Sequence, residues 1–107
     1  MNDNKVEDKA DKLLKKINSN AQKNIVLLLG FKNCPFTLKS KNYLDTNNIK
    51  YKYYSIDKYR DILFDILNKI HDLDSSYNIN LNHKTFPVIF IDNKFIGGFS
   101  ELIKYSF

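Results

Sequence analysis

The stretch IVLLLGFKNCPFT, residues 25–37, joins an uninterrupted apolar run to a cysteine that a proline follows directly. An apolar run of this length, ended by Gly30, is typical of a central strand that is buried on both faces of a sheet. Proline suits the first position of a helix, where its missing N–H costs nothing. The stretch therefore predicts a buried strand over residues 25–29 and a helix that begins just after Cys34 and ends at residues 47–48.

Hydrophobic spacing predicts the elements around this unit. Apolar residues recur at helical spacing over residues 3–17 and 59–73, and the first pattern breaks at residues 18–20. Between and after these helices, the pattern predicts a half-buried strand over residues 49–57 and a polar loop over residues 74–84. A hairpin follows over residues 88–96, with its turn at residues 92–93 and Gly97-Gly98 at its end. The last predicted element is a short helix that begins at Glu101 and is capped by Ser100. A strand-helix-strand unit pairs in parallel and a hairpin antiparallel, so this order predicts an α/β fold with a mixed four-stranded sheet flanked by helices.

Length and composition limit the possible classes of protein. A chain of 107 residues with 43% hydrophobic content suits a single globular domain, here a core over residues 24–107 preceded by an N-terminal helix in residues 1–20. The sequence offers neither a membrane span nor a secretory or mitochondrial leader, so we expect a cytoplasmic location. The net charge of +5 comes from scattered lysines rather than a basic cluster with aromatics, so we expect no nucleic-acid partner, although a basic surface suits small anionic ligands.

Cys34 is the only cysteine, which excludes an internal disulfide, so any thiol chemistry must involve a second molecule. A lone cysteine is commonly a small buried hydrophobe. At the start of a helix, however, the pattern predicts an exposed thiol whose thiolate is stabilised by unpaired N–H groups and the helix dipole. Lys32 and Lys39 either add positive potential or are solvated surface residues, and Thr37 either offers its hydroxyl to the sulfur or only occupies a helix face.

Three motifs together resemble those of the glutaredoxin family. Residues 34–37, Cys-Pro-Phe-Thr, resemble the active-site Cys-Pro-Tyr/Phe-Cys, with Thr37 in the place of the second cysteine. Residues 85–87, Thr-Phe-Pro, resemble the Thr-Val-Pro whose proline is cis, and residues 97–102, GGFSEL, resemble Gly-Gly-Cys-Ser-Asp-Leu. The motifs stand in the order and spacing of the family, over about residues 24–103. The resemblance implies a thioredoxin fold and a glutathione-dependent thiol–disulfide oxidoreductase.

The resemblance also implies a role for each motif, with Cys34 as the catalytic nucleophile. A cis bond before Pro87 would turn the N–H and C=O of Phe86 toward the ligand, whereas a trans bond would only open an edge strand. Gly97-Gly98 would let a ligand approach the backbone, or would form a plain turn. The implied glutathione-binding residues are Lys32, Thr37, Lys39, Thr85, Phe86, Pro87, Gly98, Phe99, Ser100 and Glu101, of which the last four would hold the γ-glutamyl group. The candidates for the glycine carboxylate are Lys32, Lys39 and Lys84.

Two functions remain open. In the first, the Cys34 thiolate attacks the glutathione sulfur of a mixed disulfide and a second glutathione regenerates it. In the second, a homodimer binds a [2Fe–2S] cluster through two Cys34 thiolates and two glutathione thiolates and acts as an iron–sulfur carrier or sensor. Pro35 favours the first, because the iron–sulfur carriers of the family typically have Cys-Gly-Phe-Ser. A redox-inert module of the same fold is a third possibility.

The expected partners are glutathione and glutathionylated proteins, with no membrane partner. We expect a monomer unless a cluster bridges two chains. His71 and His83 lack the spacing for a metal site with Cys34, so we expect no metal in the monomer and interpret both as surface or capping residues.

Overall fold

A mixed sheet organises the computed structural model, which describes residues 2–19, 25–58 and 60–107. The elements in chain order are α1 (Asn2–Ser19), β1 (Val26–Gly30), α2 (Pro35–Thr46), β2 (Tyr51–Ser55), α3 (Leu63–Leu73), β3 (Val88–Ile91), β4 (Lys94–Gly97) and α4 (Phe99–Leu102). The strand order is β2-β1-β3-β4, with β1 parallel to β2 and antiparallel to β3, and β3 antiparallel to β4. The predicted mixed four-stranded sheet with flanking helices is confirmed.

The two central strands, β1 and β3, are apolar throughout because helices cover both faces of the sheet. Successive side chains of a strand point to opposite faces. Leu27, Leu29 and Phe90 pack against α1 and α3, whereas Leu28 and Ile89 pack against α2 and α4. All five are at most 2% exposed. The apolar run that ends at Gly30 therefore has the two-sided burial that it predicts.

Several predicted boundaries differ from those of the structure. The predicted helix over residues 3–17 extends to Asn2–Ser19, and the predicted strand over residues 25–29 lies one residue later. The predicted helix over residues 59–73 begins with a 3-10 turn at Arg60–Ile62, a common way for the first turn of a helix to tighten. Residue 59 itself, the predicted break at residue 20 and the predicted domain start at residue 24 lie outside the described residues.

The segment predicted as a polar loop, residues 74–84, contains structure and buried side chains. Ser75–Tyr77 form a 3-10 turn that Asp74 caps by accepting from the Ser76 N–H at 2.9 Å. Tyr77 and Ile79 are each 6% exposed and belong to the core. The Tyr77 hydroxyl donates to Oδ1 of Asn18 at 2.8 Å, so α1 helps to hold the segment. Tyr77, Ile79 and Leu81 alternate with asparagines, but the run is short and its surroundings are polar, so it does not predict burial and the loop prediction was wrong.

No helix within the described ranges combines the length and apolar character needed to cross a membrane.

Candidate active site

Cys34 lies between the end of β1 and the first residue of α2, as predicted. Its backbone is extended, and Pro35 occupies the first helical position. The Cys34 N–H donates to the carbonyl oxygen of Phe31 at 3.2 Å. The Cys34 carbonyl in turn accepts from the N–H groups of Thr37 and Leu38, at 3.1 and 3.2 Å. These bonds fix the cysteine at the start of the helix.

The thiol of Cys34 is buried, which corrects the prediction of an exposed thiol. The residue is 6% exposed, and its Sγ lies 3.9 Å from the carbonyl oxygen of Phe86. The Phe86–Pro87 peptide bond is cis, which confirms that prediction. A thiol is a weak donor, so the contact with the carbonyl is a weak hydrogen bond. The thiol is not exposed, because the segment around Phe86, which is distant in sequence, lies against the sulfur.

A cleft of about 160 Å³ opens beside this segment. Its lining residues are Phe36, Thr85, Phe86, Gly98, Phe99, Ser100 and Glu101. All of them except Phe36 belong to the predicted glutathione-binding set, and Phe36 belongs to the motif of residues 34–37, so the structure brings residues of all three motifs together around one space. The predicted residues Lys32, Thr37, Lys39 and Pro87 are not among the lining residues.

Phe36 is a site residue to which the sequence assigned no role. Its side chain is 49% exposed, and its ring lies 6.1 Å from that of Phe99, centroid to centroid, in a tilted arrangement. The two rings form one wall of the cleft between α2 and α4. Its position directly after Pro35, in the first turn of the helix that follows Cys34, is the sequence signal that could have identified it.

Thr37 packs beneath the cleft and does not line it, so the structure favours the interpretation that it only occupies a helix face, while its role in glutathione binding stays a prediction. It is 1% exposed, and its hydroxyl makes no hydrogen bond within the described part of the chain, to the sulfur or to any other group. The side chain lies so close to Gly30 that a Cβ placed there would be 2.4 Å from Oγ1. Thr37 therefore sets the distance between α2 and β1.

Tyr53 on β2 also lies close to the end of β1. Its hydroxyl donates to the carbonyl oxygen of Gly30 at 3.3 Å, and the ammonium of Lys41 lies 3.6 Å from the centroid of its ring. Burial raises the pKa of the Tyr53 hydroxyl and the negative charge of Asp57 acts in the same direction, whereas the hydrogen bond with Ser55 acts against them. The hydroxyl thus remains protonated and able to donate at neutral pH.

The three candidate lysines for a carboxylate lie in different surroundings. The ammonium of Lys39 lies 4.9 Å from the centroid of the Phe36 ring, at the rim of the cleft. Lys84 places its ammonium 5.4 Å from the centroid of the Phe64 ring. Lys32 is exposed, and its backbone N–H donates to the carboxylate of Asp57 at 3.1 Å. Their roles in ligand binding stay predictions.

The rings of Phe31, Phe64 and Phe86 form a group that we call the Phe86 aromatic cluster. Phe86 packs edge to face on Phe31, with centroids 5.1 Å apart, and at a tilt on Phe64, with centroids 5.2 Å apart. The guanidinium of Arg60, the single arginine of the chain, lies 4.5 Å from the centroid of the Phe31 ring. Sequence reasoning missed Arg60 and this cluster, because its members are far apart in the chain and carry no shared pattern.

The other end of the cleft is formed by the turn between β4 and α4. Gly97 has a φ of +125°, which favours glycine, and a Cβ there would lie 2.6 Å from Oε1 of Glu101. The Gly98 N–H donates to the same Oε1 at 2.8 Å. This bond starts α4 at Phe99 with Gly98 as its N-cap, which corrects the prediction that Ser100 caps a helix beginning at Glu101.

The two histidines are half-buried rather than plain surface residues. The His83 ring packs edge to face on Phe95 with centroids 5.3 Å apart. Its Cε1 lies against Gly98, 3.3 Å from where a Cβ would be. Within the described ranges, no group of three or more His, Cys, Asp or Glu side chains is arranged to hold a metal ion.

The strand order of the mixed sheet and the cysteine at the start of α2 define the class, a protein of the thioredoxin fold. The chain belongs to the glutaredoxin family, because the sequence profile of that family, described as Glutaredoxin, matches residues 25–96. The chain is 32% identical over 72 residues to a probable glutaredoxin of Acanthamoeba polyphaga mimivirus, across 67% of this chain and 68% of that protein. It is 30% identical over 77 residues to glutaredoxin 1 of Rickettsia bellii, across 72% and 71% of the two chains.

Solved structures agree with this assignment. Glutaredoxin 1 from Francisella tularensis, in complex with cacodylate, superposes with a TM-score of 0.62 at 33% identity and covers 75% of this chain and 88% of its own. A buckwheat glutaredoxin–glutathione complex superposes with a TM-score of 0.65, covering 92% and 79% of the two chains, and at 19% identity it shows the fold alone. The predicted thioredoxin fold is confirmed. Glutaredoxins are oxidoreductases that use glutathione as a substrate or ligand.

Proposed function

We propose that this glutaredoxin is a glutathione-dependent thiol–disulfide oxidoreductase that removes glutathione from mixed disulfides by a monothiol mechanism, in the cytoplasm. The observation that carries the proposal is the position of the single thiol. Cys34 lies at the start of α2 with its sulfur against Phe86, and Phe86 also lines the cleft. With no second thiol in the chain, the adduct on Cys34 must be resolved by another molecule.

The reaction proceeds in two exchanges. The Cys34 thiolate attacks the glutathione sulfur of the mixed disulfide, so a bond forms between Cys34 and glutathione while the original S–S bond breaks. The substrate leaves as a thiolate and takes a proton from water. A second glutathione, as its thiolate, then attacks the adduct, glutathione disulfide leaves, and the Cys34 thiolate is regenerated.

Glutathione would lie along the cleft with its two ends in different chemical surroundings. The backbone of Phe86 would pair with the main chain of the tripeptide. At the turn into α4, the Glu101 carboxylate suits the ammonium of the γ-glutamyl group, and Ser100 offers donors for its carboxylate. At the other end, Arg60 would supply positive charge for the glycine carboxylate, together with the predicted candidates Lys32, Lys39 and Lys84.

A coupled assay tests the proposal. Turnover of a glutathionylated peptide is followed with glutathione and glutathione disulfide reductase, for the wild type, Cys34→Ser and Leu38→Ser. Leu38 is a matched control because it is 52% exposed on α2 and does not line the cleft. We expect turnover by the wild type and Leu38→Ser but not by Cys34→Ser. A wild type that releases no glutathione, or a Cys34→Ser variant as fast as the wild type, would refute the function.

Visible absorption spectroscopy tests the alternative function, the binding of an iron–sulfur cluster. Each chain supplies one thiolate, Cys34, and the described residues show no group arranged to supply further metal ligands. Two chains and two glutathione molecules would be needed for four thiolates. Protein produced with iron and glutathione should show no visible absorption bands that depend on Cys34. Bands that vanish in Cys34→Ser would make cluster binding the function instead.

A further inference from the structure

The two backbone carbonyls that contact Cys34 belong to phenylalanines whose rings pack on each other. The Cys34 N–H donates to the carbonyl of Phe31 at 3.2 Å, and Sγ lies 3.9 Å from the carbonyl of Phe86. The two rings meet edge to face, with centroids 5.1 Å apart and an interplanar angle of 80°. This geometry is the favourable one for aromatic pairs. The contact between the two rings therefore helps to fix the positions of both carbonyl groups around Cys34.

A third ring, that of Phe64 on α3, supports Phe86 from the side of the core. The centroids of Phe64 and Phe86 are 5.2 Å apart, and Phe64 packs at the border of the core shared by α1 and α3. Phe64 is not among the residues that line the cleft. The ammonium of Lys84 lies over the Phe64 ring, an arrangement that adds a cation–π attraction. Phe64 thus links α3 to the segment that covers the sulfur.

We propose that Phe64 is a positioning residue for Cys34, which acts through the Phe86 aromatic cluster to hold the Phe86 carbonyl against the sulfur. The inference rests on the proposed function only for its second readout, glutathione turnover. The first readout is the rate at which iodoacetamide alkylates Cys34, and this rate requires no glutathione. A failure of the proposed function would therefore leave the positioning role testable.

Removal of the Phe64 ring should expose the sulfur and weaken glutathione binding at the same time. Aromatic pairs at such centroid distances shift an equilibrium by roughly 2- to 10-fold beyond the effect of buried area. In Phe64→Leu we therefore expect Cys34 to be alkylated roughly 2- to 10-fold faster at constant pH, because its covering carbonyl is held less firmly. The KM for a glutathionylated peptide should rise by a similar factor, because the Phe86 backbone is also the proposed clamp.

Two control variants separate positioning from general stability. Phe64→Tyr keeps the ring and should react like the wild type. Phe90→Leu removes a 1% exposed ring of the same core that packs edge to face on Phe95 at 5.6 Å. This variant should lose at least as much stability as Phe64→Leu, measured by thermal denaturation, yet keep the wild-type alkylation rate. Should Phe64→Leu not fold, Phe64→Met replaces it, since methionine also fills the space without a ring.

A double-mutant cycle tests whether Phe64 acts through Phe86. In a Phe86→Val background, where the central ring is absent, Phe64→Leu should have no further effect on the alkylation rate. The proposal is overturned if Phe64→Leu leaves alkylation unchanged, if Phe90→Leu accelerates it equally, or if Phe64→Leu has the same effect with and without the Phe86 ring.

Discussion

Gly30→Ala should destabilise the fold through a contact with one side chain. A Cβ at this position would lie 2.4 Å from Oγ1 and 2.8 Å from Cγ2 of Thr37. Thr37 is 1% exposed and carries two heavy atoms on its Cβ, so its side chain has little freedom to rotate away. The added methyl group must therefore push α2 away from β1 at the end where Cys34 lies.

The size of the effect follows from two opposing contributions. Overpacking of a well-packed core typically costs about 1–3 kcal/mol. Replacement of a strand glycine by alanine recovers about 0.5–1 kcal/mol of backbone entropy. The net loss should lie between about 0 and 2.5 kcal/mol, near 1 kcal/mol at the middle of both ranges, which in a domain of about 100 residues lowers Tm by roughly 4–8 °C.

Thermal denaturation followed by circular dichroism measures this loss in two backgrounds. Thr37→Ala removes both clashing atoms and leaves only the Thr37 Cβ position, 3.2 Å from the new methyl group. Gly30→Ala should therefore cost about 1 kcal/mol less in the Thr37→Ala background than in the wild type. An equal change of Tm in both backgrounds, or a rise of Tm in Gly30→Ala alone, would refute the packing argument.

Incubation with glutathione disulfide should add one glutathione to Cys34, seen by intact mass; modification only after denaturation would show an inert buried cysteine. Thr37→Cys should form a disulfide with Cys34, one helical turn away, and an oxidised variant that retains two free thiols under native conditions would show that the two residues do not face each other. Hydrogen bonds from the hydroxyl and N–H of Ser76 lower the pKa of Asp74 below its ordinary value of 3.8. The Asp74 carboxylate therefore stabilises the fold fully above pH 3.8, and this stabilisation is lost as the pH falls from there through the lowered pKa. The Tm difference between the wild type and Asp74→Asn should shrink in that range, and a difference that grows there would contradict the assignment.

Sequence patterns predicted the central layer of the fold because local and tertiary preferences agree there. The apolar runs of β1 and β3 are buried on both faces, and Asp92 and Asn93 adopt the left-handed conformation that a two-residue hairpin turn requires. The position of Cys34 at the start of α2 was predicted for the same reason, because Pro35 favours the first position of a helix. These features depend on neighbours in the chain.

The features that the sequence did not predict depend on contacts between distant segments. Cys34 is buried because Phe86, 52 residues away, lies over its sulfur. Arg60 contacts the ring of Phe31 and Phe64 contacts the ring of Phe86, and no periodicity in the sequence predicts such contacts. Gly98 replaced Ser100 as the N-cap because the Glu101 side chain folds back onto the Gly98 N–H. The sequence specifies each residue type but not the backbone group that its side chain contacts in the fold.

The strand order also bears on aggregation. Open sheet edges invite pairing with other chains, and the two most apolar strands would be hazardous there. The order β2-β1-β3-β4 places β1 and β3 in the interior and leaves β2 and β4 at the edges. β2 carries an exposed Lys52 and is preceded by an exposed Lys50, and β4 has only four residues and begins with an exposed Lys94. Exposed lysines at both edges therefore disfavour the addition of strands from neighbouring chains to this sheet.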